Sequence, residues 1–199
     1  MKRTTERAPA SSAILTVPNL LSFARIAAIP VLVWLTASPG TRLAAVALFA
    51  ALAATDWIDG LIARRTGQES DLGRILDPVA DRLAIAAGLI AFAVVGLIPF
   101  WAALLILLRD LAVLLGGAAL LWGHGVRVDV RPIGKIATFS LMAAIAWIAW
   151  GNVGGPLGEV LLVGGWLAYA VGIVEYYLAA GLYAIDARDA LAARGMLEE

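Results

Sequence analysis

Four aspartates fall in two pairs along the 199-residue chain, Asp56 with Asp59 and Asp77 with Asp81. Separations of three and four residues put each pair on one face of a helix. Both pairs border apolar sequence, where a carboxylate is costly. Brought together, four carboxylates repel and take up protons unless cations neutralise them. Hard divalent cations with all-oxygen ligation, Mg²⁺ or Mn²⁺, meet that need. Two such ions would polarise a phosphoryl group and steady its leaving group. Any one of these aspartates alone reads equally well as solvating a helix end. Four of them, paired at facing helix ends, read as a metal site.

Their neighbours extend the pattern. Gly60 lets a ligand approach the helix backbone closely, or serves helix–helix packing. Arg64 can pair with a diphosphate, or snorkel to the interface as an anchor. Gly73 precedes the second aspartate pair and suits a turn. Ser70 lies between the pairs as an ordinary loop residue with the option of a ligand contact.

The elements that must position these residues are membrane helices. Of the chain, 62% is hydrophobic and only 15% charged, with a mean hydropathy of +0.89. A soluble domain carries roughly 25% charge. Six apolar stretches have bilayer-spanning length: about 17–37, 43–63, 78–97, 99–122, 133–150 and 157–180. Lipid leaves no water to satisfy an open backbone, so each is expected to be helical. Between the third and fourth, the short Leu97–Trp101 connection makes a tight hairpin.

Basic residues sort to alternate connections. Lys2, Arg3 and Arg7 precede the first stretch. Arg64, Arg65 and Arg74 follow the second. Arg127, Arg131 and Lys135 follow the fourth, and Arg188 and Arg194 follow the sixth. The intervening connections carry only Arg42. The positive-inside rule then places both termini in the cytoplasm. The fold class expected is an all-α membrane protein with six transmembrane helices. Residues 1–12 read as a disordered basic N-terminus, 13–185 as the six-helix domain and 186–199 as a short cytoplasmic tail, the last with the character of an interfacial helix.

Composition excludes other chemistry. No cysteine is present, so thiolate catalysis and disulfides are absent. A single histidine, His124, excludes a clustered-histidine zinc site. Zero formal net charge argues against nucleic acid as a partner. The tryptophans Trp101, Trp122 and Trp150 sit near helix ends, as in an interfacial aromatic belt.

The run Asp56-x₂-Asp59-Gly60-x₂-Ala63-Arg64-x₈-Gly73-x₃-Asp77-x₃-Asp81 resembles the signature of the CDP-alcohol phosphatidyltransferases at all eight fixed positions, over 26 residues. The resemblance covers roughly residues 16–150. It implies that Asp56 and Asp77 bridge two metal ions, that Asp59 binds one, and that Asp81 binds the other and acts as general base. It implies that Gly60, Arg64 and Ser70 contact the CDP-diacylglycerol headgroup, with Asn19, Leu20, Leu21 and Ser22 lining the same nucleotide site. The implied reaction is attack of an alcohol oxygen on the phosphorus next to diacylglycerol, with CMP leaving. The metal-binding end would lie at the cytoplasmic face of the cell membrane, and a homodimer is typical of the family.

The accepting alcohol is read from weaker features. Val17-Pro18-Asn19-Leu20-Leu21-Ser22-x₂-Arg25, Arg109-Asp110 and Gly134-Lys135-x₂-Thr138 together look most like the cardiolipin synthase branch found in actinobacteria, whose acceptor is phosphatidylglycerol. Transfer to glycerol 3-phosphate is the alternative within the family. Arg25, Arg109, Arg131 and Lys135 are the cations placed to meet an acceptor phosphate. Arg109 reads equally as an ion-pair partner of Asp110 or another helix carboxylate. Arg131 and Lys135 read equally as topology anchors attracted to anionic headgroups. Glu175 is a further intramembrane charge that could pair with an arginine or line a cavity. A metal-ion transporter is the reading from another class; it would hold its carboxylates near the midplane of two related halves, a pattern not seen here.

Overall fold

The computed structural model describes residues 17–66, 73–124 and 132–195, with side chains described for 19–55, 79–120, 134 and 136–192. Six long helices follow one another: α1 (Val17–Ala37), α2 (Arg42–Thr66), α3 (Gly73–Val94), α4 (Phe100–His124), α5 (Pro132–Val153) and α6 (Gly158–Gly195). A single 3₁₀ turn, Pro39–Thr41, joins α1 to α2. No strand occurs among the described residues. The expected basic N-terminus, 1–12, lies outside them.

Among the described residues four helices are long and apolar enough to cross a membrane: Asn19–Ala37, Phe100–Leu120, Ile136–Val153 and Gly158–Ala192. In α2, Asp56, Asp59, Arg64 and Arg65 occupy the last turns. Likewise α3 opens with Arg74, Asp77, Asp81 and Arg82.

The hairpin between α3 and α4 is built by its sequence. Gly96 adopts a left-handed φ of +77°, which L side chains resist and glycine does not. The Leu97 amide donates to the Phe92 carbonyl at 2.8 Å and the Gly96 amide to Ala93 at 3.2 Å. This paired arrangement satisfies carbonyls that the end of α3 would leave orphaned. Pro99 follows, and its carbonyl accepts the first bond of α4, from Ala102 at 3.0 Å. Leu97 and Phe92 are both buried, so the turn is closed by apolar contact as well.

Packing gives the site its walls. Helix α1 lies against α2 and α3, α2 reaches α5, and α5 and α6 form the most extensive pair. The core runs through Leu32, Phe49, Leu89, Phe92, Ile106, Leu141, Ile145, Ile148 and Tyr176. Phe49 of α2 meets Phe92 of α3 edge to face, with centroids 5.2 Å apart. Gly88 makes room for it: a Cβ there would lie 2.5 Å from the Phe49 ring. Glycine thus sets how closely the two aspartate-bearing helices approach.

The α5–α6 seam uses the same device. A Cβ on Gly165 would come within 2.8 Å of the Ile148 backbone nitrogen and 3.1 Å of the Ala144 carbonyl. Backbone cannot yield as a side-chain tip does, and lipid supplies no hydrophobic drive to compensate for lost packing. Gly165→Val is therefore expected to destabilise the protein by about 1–3 kcal/mol or more. Thermal unfolding in detergent should show a lowered Tm. Gly40→Ala, where a Cβ would meet nothing within 4 Å, is the matched control and should melt as the unsubstituted chain does.

Candidate active site

One face of α1 carries a polar stripe. Asn19, Ser22 and Arg25 recur every three residues and are 0%, 2% and 4% exposed. Leu20 points outward and is 51% exposed, while Leu21 is half-buried. Of the four residues expected at the nucleotide site, α1 thus turns Asn19 and Ser22 into the protein and Leu20 away from it.

Arg25 ends that stripe beside α3. Its Nη1 lies 3.9 Å from Oδ1 of Asp81, whose side chain is about one-fifth exposed. A charge on each of two packed helices is tolerable here because each neutralises the other. A small crevice is lined by Arg25, Asp81, Ala84 and Ile85 together with Phe49, Leu52 and Ala53 of α2. Three helices therefore converge on Asp81. The register of α2 puts position 56 one turn beyond Leu52 and Ala53, on the same helix face. The register of α3 puts position 77 one turn before Asp81. The side chains of Asp56, Asp59, Asp77, Gly60, Arg64 and Lys135 lie outside the described set, as do Ser70 and Arg131 altogether. Among the described residues no group of three or more metal-ligating side chains is assembled.

The donor set nonetheless suits a hard cation. Four carboxylates on two adjoining helix ends offer oxygen alone, with no cysteine and no histidine in either segment. Asp81 is about one-fifth exposed and lines the crevice. What the arrangement can do chemically is accept a proton at Asp81 beside an arginine that can hold an anion.

Arg109 has a different setting from Arg25. It is buried, its guanidinium carbon lies 3.9 Å from the centroid of the Tyr176 ring, and Nη1 donates to Oδ1 of Asp110 at 3.3 Å. Asp110 also pairs with Arg82 of α3 and accepts the hydroxyl hydrogen of Tyr176 from α6. Of the two readings of Arg109, the ion pair with Asp110 is the one this geometry displays. Sequence reasoning missed Arg82 and Tyr176. In sequence Arg82 is one more charge near a helix start, and Tyr176 is one more aromatic in an apolar helix. The available signal was Asp110 itself, a carboxylate inside α4 that needs more than one donor.

Residues 15–174 match the CDP-alcohol phosphatidyltransferase family. A Mycobacterium tuberculosis protein described as a candidate cardiolipin synthase is 39% identical over 174 residues, covering 87% of this chain and 83% of that one. The cardiolipin synthase (CMP-forming) of Streptomyces coelicolor is 36% identical over 184 residues, covering 88% of this chain and 84% of that one. The CDP-diacylglycerol–glycerol-3-phosphate 3-phosphatidyltransferase of Bacillus subtilis is 32% identical over 150 residues, covering 68% and 77%. These matches lend the transporter reading no support. With the eight-position motif intact and the family match spanning residues 15–174, the protein is an enzyme of the CDP-alcohol phosphatidyltransferase family.

Proposed function

We propose that this enzyme transfers the phosphatidyl group of CDP-diacylglycerol to phosphatidylglycerol, giving cardiolipin and CMP. The observation that carries the reading is the likeness to the Streptomyces coelicolor enzyme over 84% of that protein's length. In the reaction, Asp81 takes the proton of the acceptor's terminal hydroxyl. The oxygen attacks the phosphorus bonded to diacylglycerol, a new P–O bond forms, and the bond to the CMP oxygen breaks with its electron pair. Asp56, Asp59, Asp77 and Asp81 would hold two Mg²⁺ or Mn²⁺ ions, which supply charge stabilisation at the reacting phosphate.

The chain's own residues do the rest. The buried stripe of Asn19 and Ser22 faces the nucleotide side, with Gly60, Arg64 and Ser70 completing it from α2 and the connection that follows. Arg25, held beside Asp81, orients the acceptor phosphate near the base, and Arg131 and Lys135 add positive charge around it. Arg109 is assigned to the Asp110 cluster instead.

The same reading takes all six helices across the cell membrane. Charged ends of α2 and α3 meet the cytoplasmic face, where soluble CMP can leave, and both termini lie on that side. A second copy of the chain can cover the leucines exposed along α4, Leu104, Leu108, Leu111 and Leu115, in a homodimer; membrane lipids cover the rest.

Glycerol 3-phosphate remains the second reading, favoured by the Bacillus subtilis relative. An acceptor comparison separates the two. Purified protein would receive CDP-diacylglycerol with either phosphatidylglycerol or glycerol 3-phosphate, and CMP release would be followed. Release with phosphatidylglycerol is expected. Release with glycerol 3-phosphate alone would replace the first reading by the second.

A further inference from the structure

Helix α3 is gripped unevenly. It packs broadly on α1 and only lightly on α4. The hairpin at Gly96 ties α3 to α4 at one end. Arg82 lies twelve residues before Val94, roughly 18 Å along the helix from that tie. At this distant level apolar packing between α3 and α4 gives way to charge.

Asp110 is the centre of that charge. It receives Arg82 from α3, Arg109 from its own helix and the Tyr176 hydroxyl from α6. Tyr176 is fully buried and stacks beneath Arg109, so it cannot swing away without opening the core. Arg82 directly follows Asp81 in the chain. Successive residues of a helix point about 100° apart, which lets Asp81 face Arg25 on α1 while Arg82 faces α4 and α6. One turn of α3 is therefore held from two sides, and the grip on one side converges on a single carboxylate.

We propose that Asp110 is a positioning residue: by accepting Arg82, Arg109 and Tyr176 it fixes the turn of α3 that carries Asp81 against α4 and α6. The proposal rests on the reading of Asp81 as the base. It acts on alignment and not on substrate affinity, because none of the three donors reaches the crevice at Arg25 and Asp81.

The test uses the full chain, in the membrane or in detergent. Arg82→Gln removes one donor and leaves Asp110 paired with Arg109 and Tyr176, so folding is retained and Tm stays within about 4 °C. A displacement of the base of the order of 1 Å should lower kcat by about 100-fold. KM for CDP-diacylglycerol should change by less than about threefold, since uniform binding is untouched. Arg82→Lys, which keeps the charge, should recover at least about tenfold of that loss. Tyr176→Phe should slow turnover by about three- to tenfold, the worth of one hydrogen bond.

A second readout is independent of turnover. The chain has no cysteine, so Leu83→Cys on α3 and Leu178→Cys on α6, both at exposed positions and off the α4 face assigned to a second copy, admit a spin-label pair with no background. The label-to-label distance distribution should broaden on Arg82→Gln and narrow again with Arg82→Lys. Wild-type turnover in Arg82→Gln, equal impairment by Gln and Lys, or an unchanged distribution would each overturn the proposal. So would a Tyr176→Phe chain with full turnover and unchanged distances. If the unsubstituted chain releases no CMP from CDP-diacylglycerol, the reading of the reaction falls instead, and the spin-label result still decides whether the clamp exists.

Discussion

Asp81→Asn is expected to reduce turnover by at least about 10³-fold while the protein still inserts and remains monodisperse. The estimate takes the usual contribution of a positioned general base, about 10²–10⁴-fold, and places it near the upper part because the same carboxylate is proposed as a ligand. Asparagine keeps the shape and volume of the side chain, so the α1–α3 contact survives sterically. What disappears is the negative charge 3.9 Å from Arg25. Arg25 is only 4% exposed, so the loss leaves it less well compensated, and a lower Tm is expected alongside lost activity. Turnover should be followed as CMP release, with Tm and gel-filtration behaviour measured on the same sample. Near-normal turnover would remove the base role from Asp81. A collapsed gel-filtration profile would call for Asp81→Glu, which keeps the charge but moves it.

Chelation should have an effect of similar size. If the aspartates hold divalent ions, removing them withdraws several kcal/mol of charge stabilisation at the reacting phosphate, or at least about 100-fold in rate. Mg²⁺ or Mn²⁺ should restore turnover. Four carboxylates that repel one another in the stripped state also predict a thermodynamic signature. Metal at about 100 times its dissociation constant should stabilise the fold by about 2.7 kcal/mol, read as a higher Tm. That measurement needs no substrate. Turnover and melting that both ignore chelator and metal would sink the two-ion site.

The sequence made most of the helices legible because their signal is length and apolarity. The first span was placed at 17–37, and α1 occupies Val17–Ala37. Departures arise where helix and apolarity part company. The third apolar stretch reads from Pro78, yet the chain is already helical at Gly73, since Arg74 and Asp77 lower hydropathy without opposing helix formation. The sixth was closed near Ala180, yet α6 continues to Gly195. Its last part, rich in alanine, leucine and arginine, is polar enough to leave an apolar window but keeps high helix propensity.

The candidate site was legible along the chain and illegible across it. Helical spacing gave the face shared by Asp77 and Asp81, and an intramembrane arginine at position 25 was a clear signal of a polar neighbour. That the neighbour is Asp81, 56 residues later, depends on how α1 lies against α3. Local periodicity carries no information about that crossing. Arg109 shows the limit from the other side: both its readings were consistent with its sequence, and only the placement of Tyr176 on α6 distinguishes them.

The length of α6 has one further consequence. Its 38 residues make a rod of roughly 57 Å at 1.5 Å per residue. Confining that rod to a hydrocarbon layer about 30 Å thick would need a tilt of roughly 58°, beyond the 0–40° that membrane helices adopt. On the proposed membrane placement, the helix would therefore emerge from the bilayer, carrying Asp186, Arg188 and Asp189 into water. A domain fused in register to its end would be steered by helix geometry alone, turning by about 100° for every residue inserted.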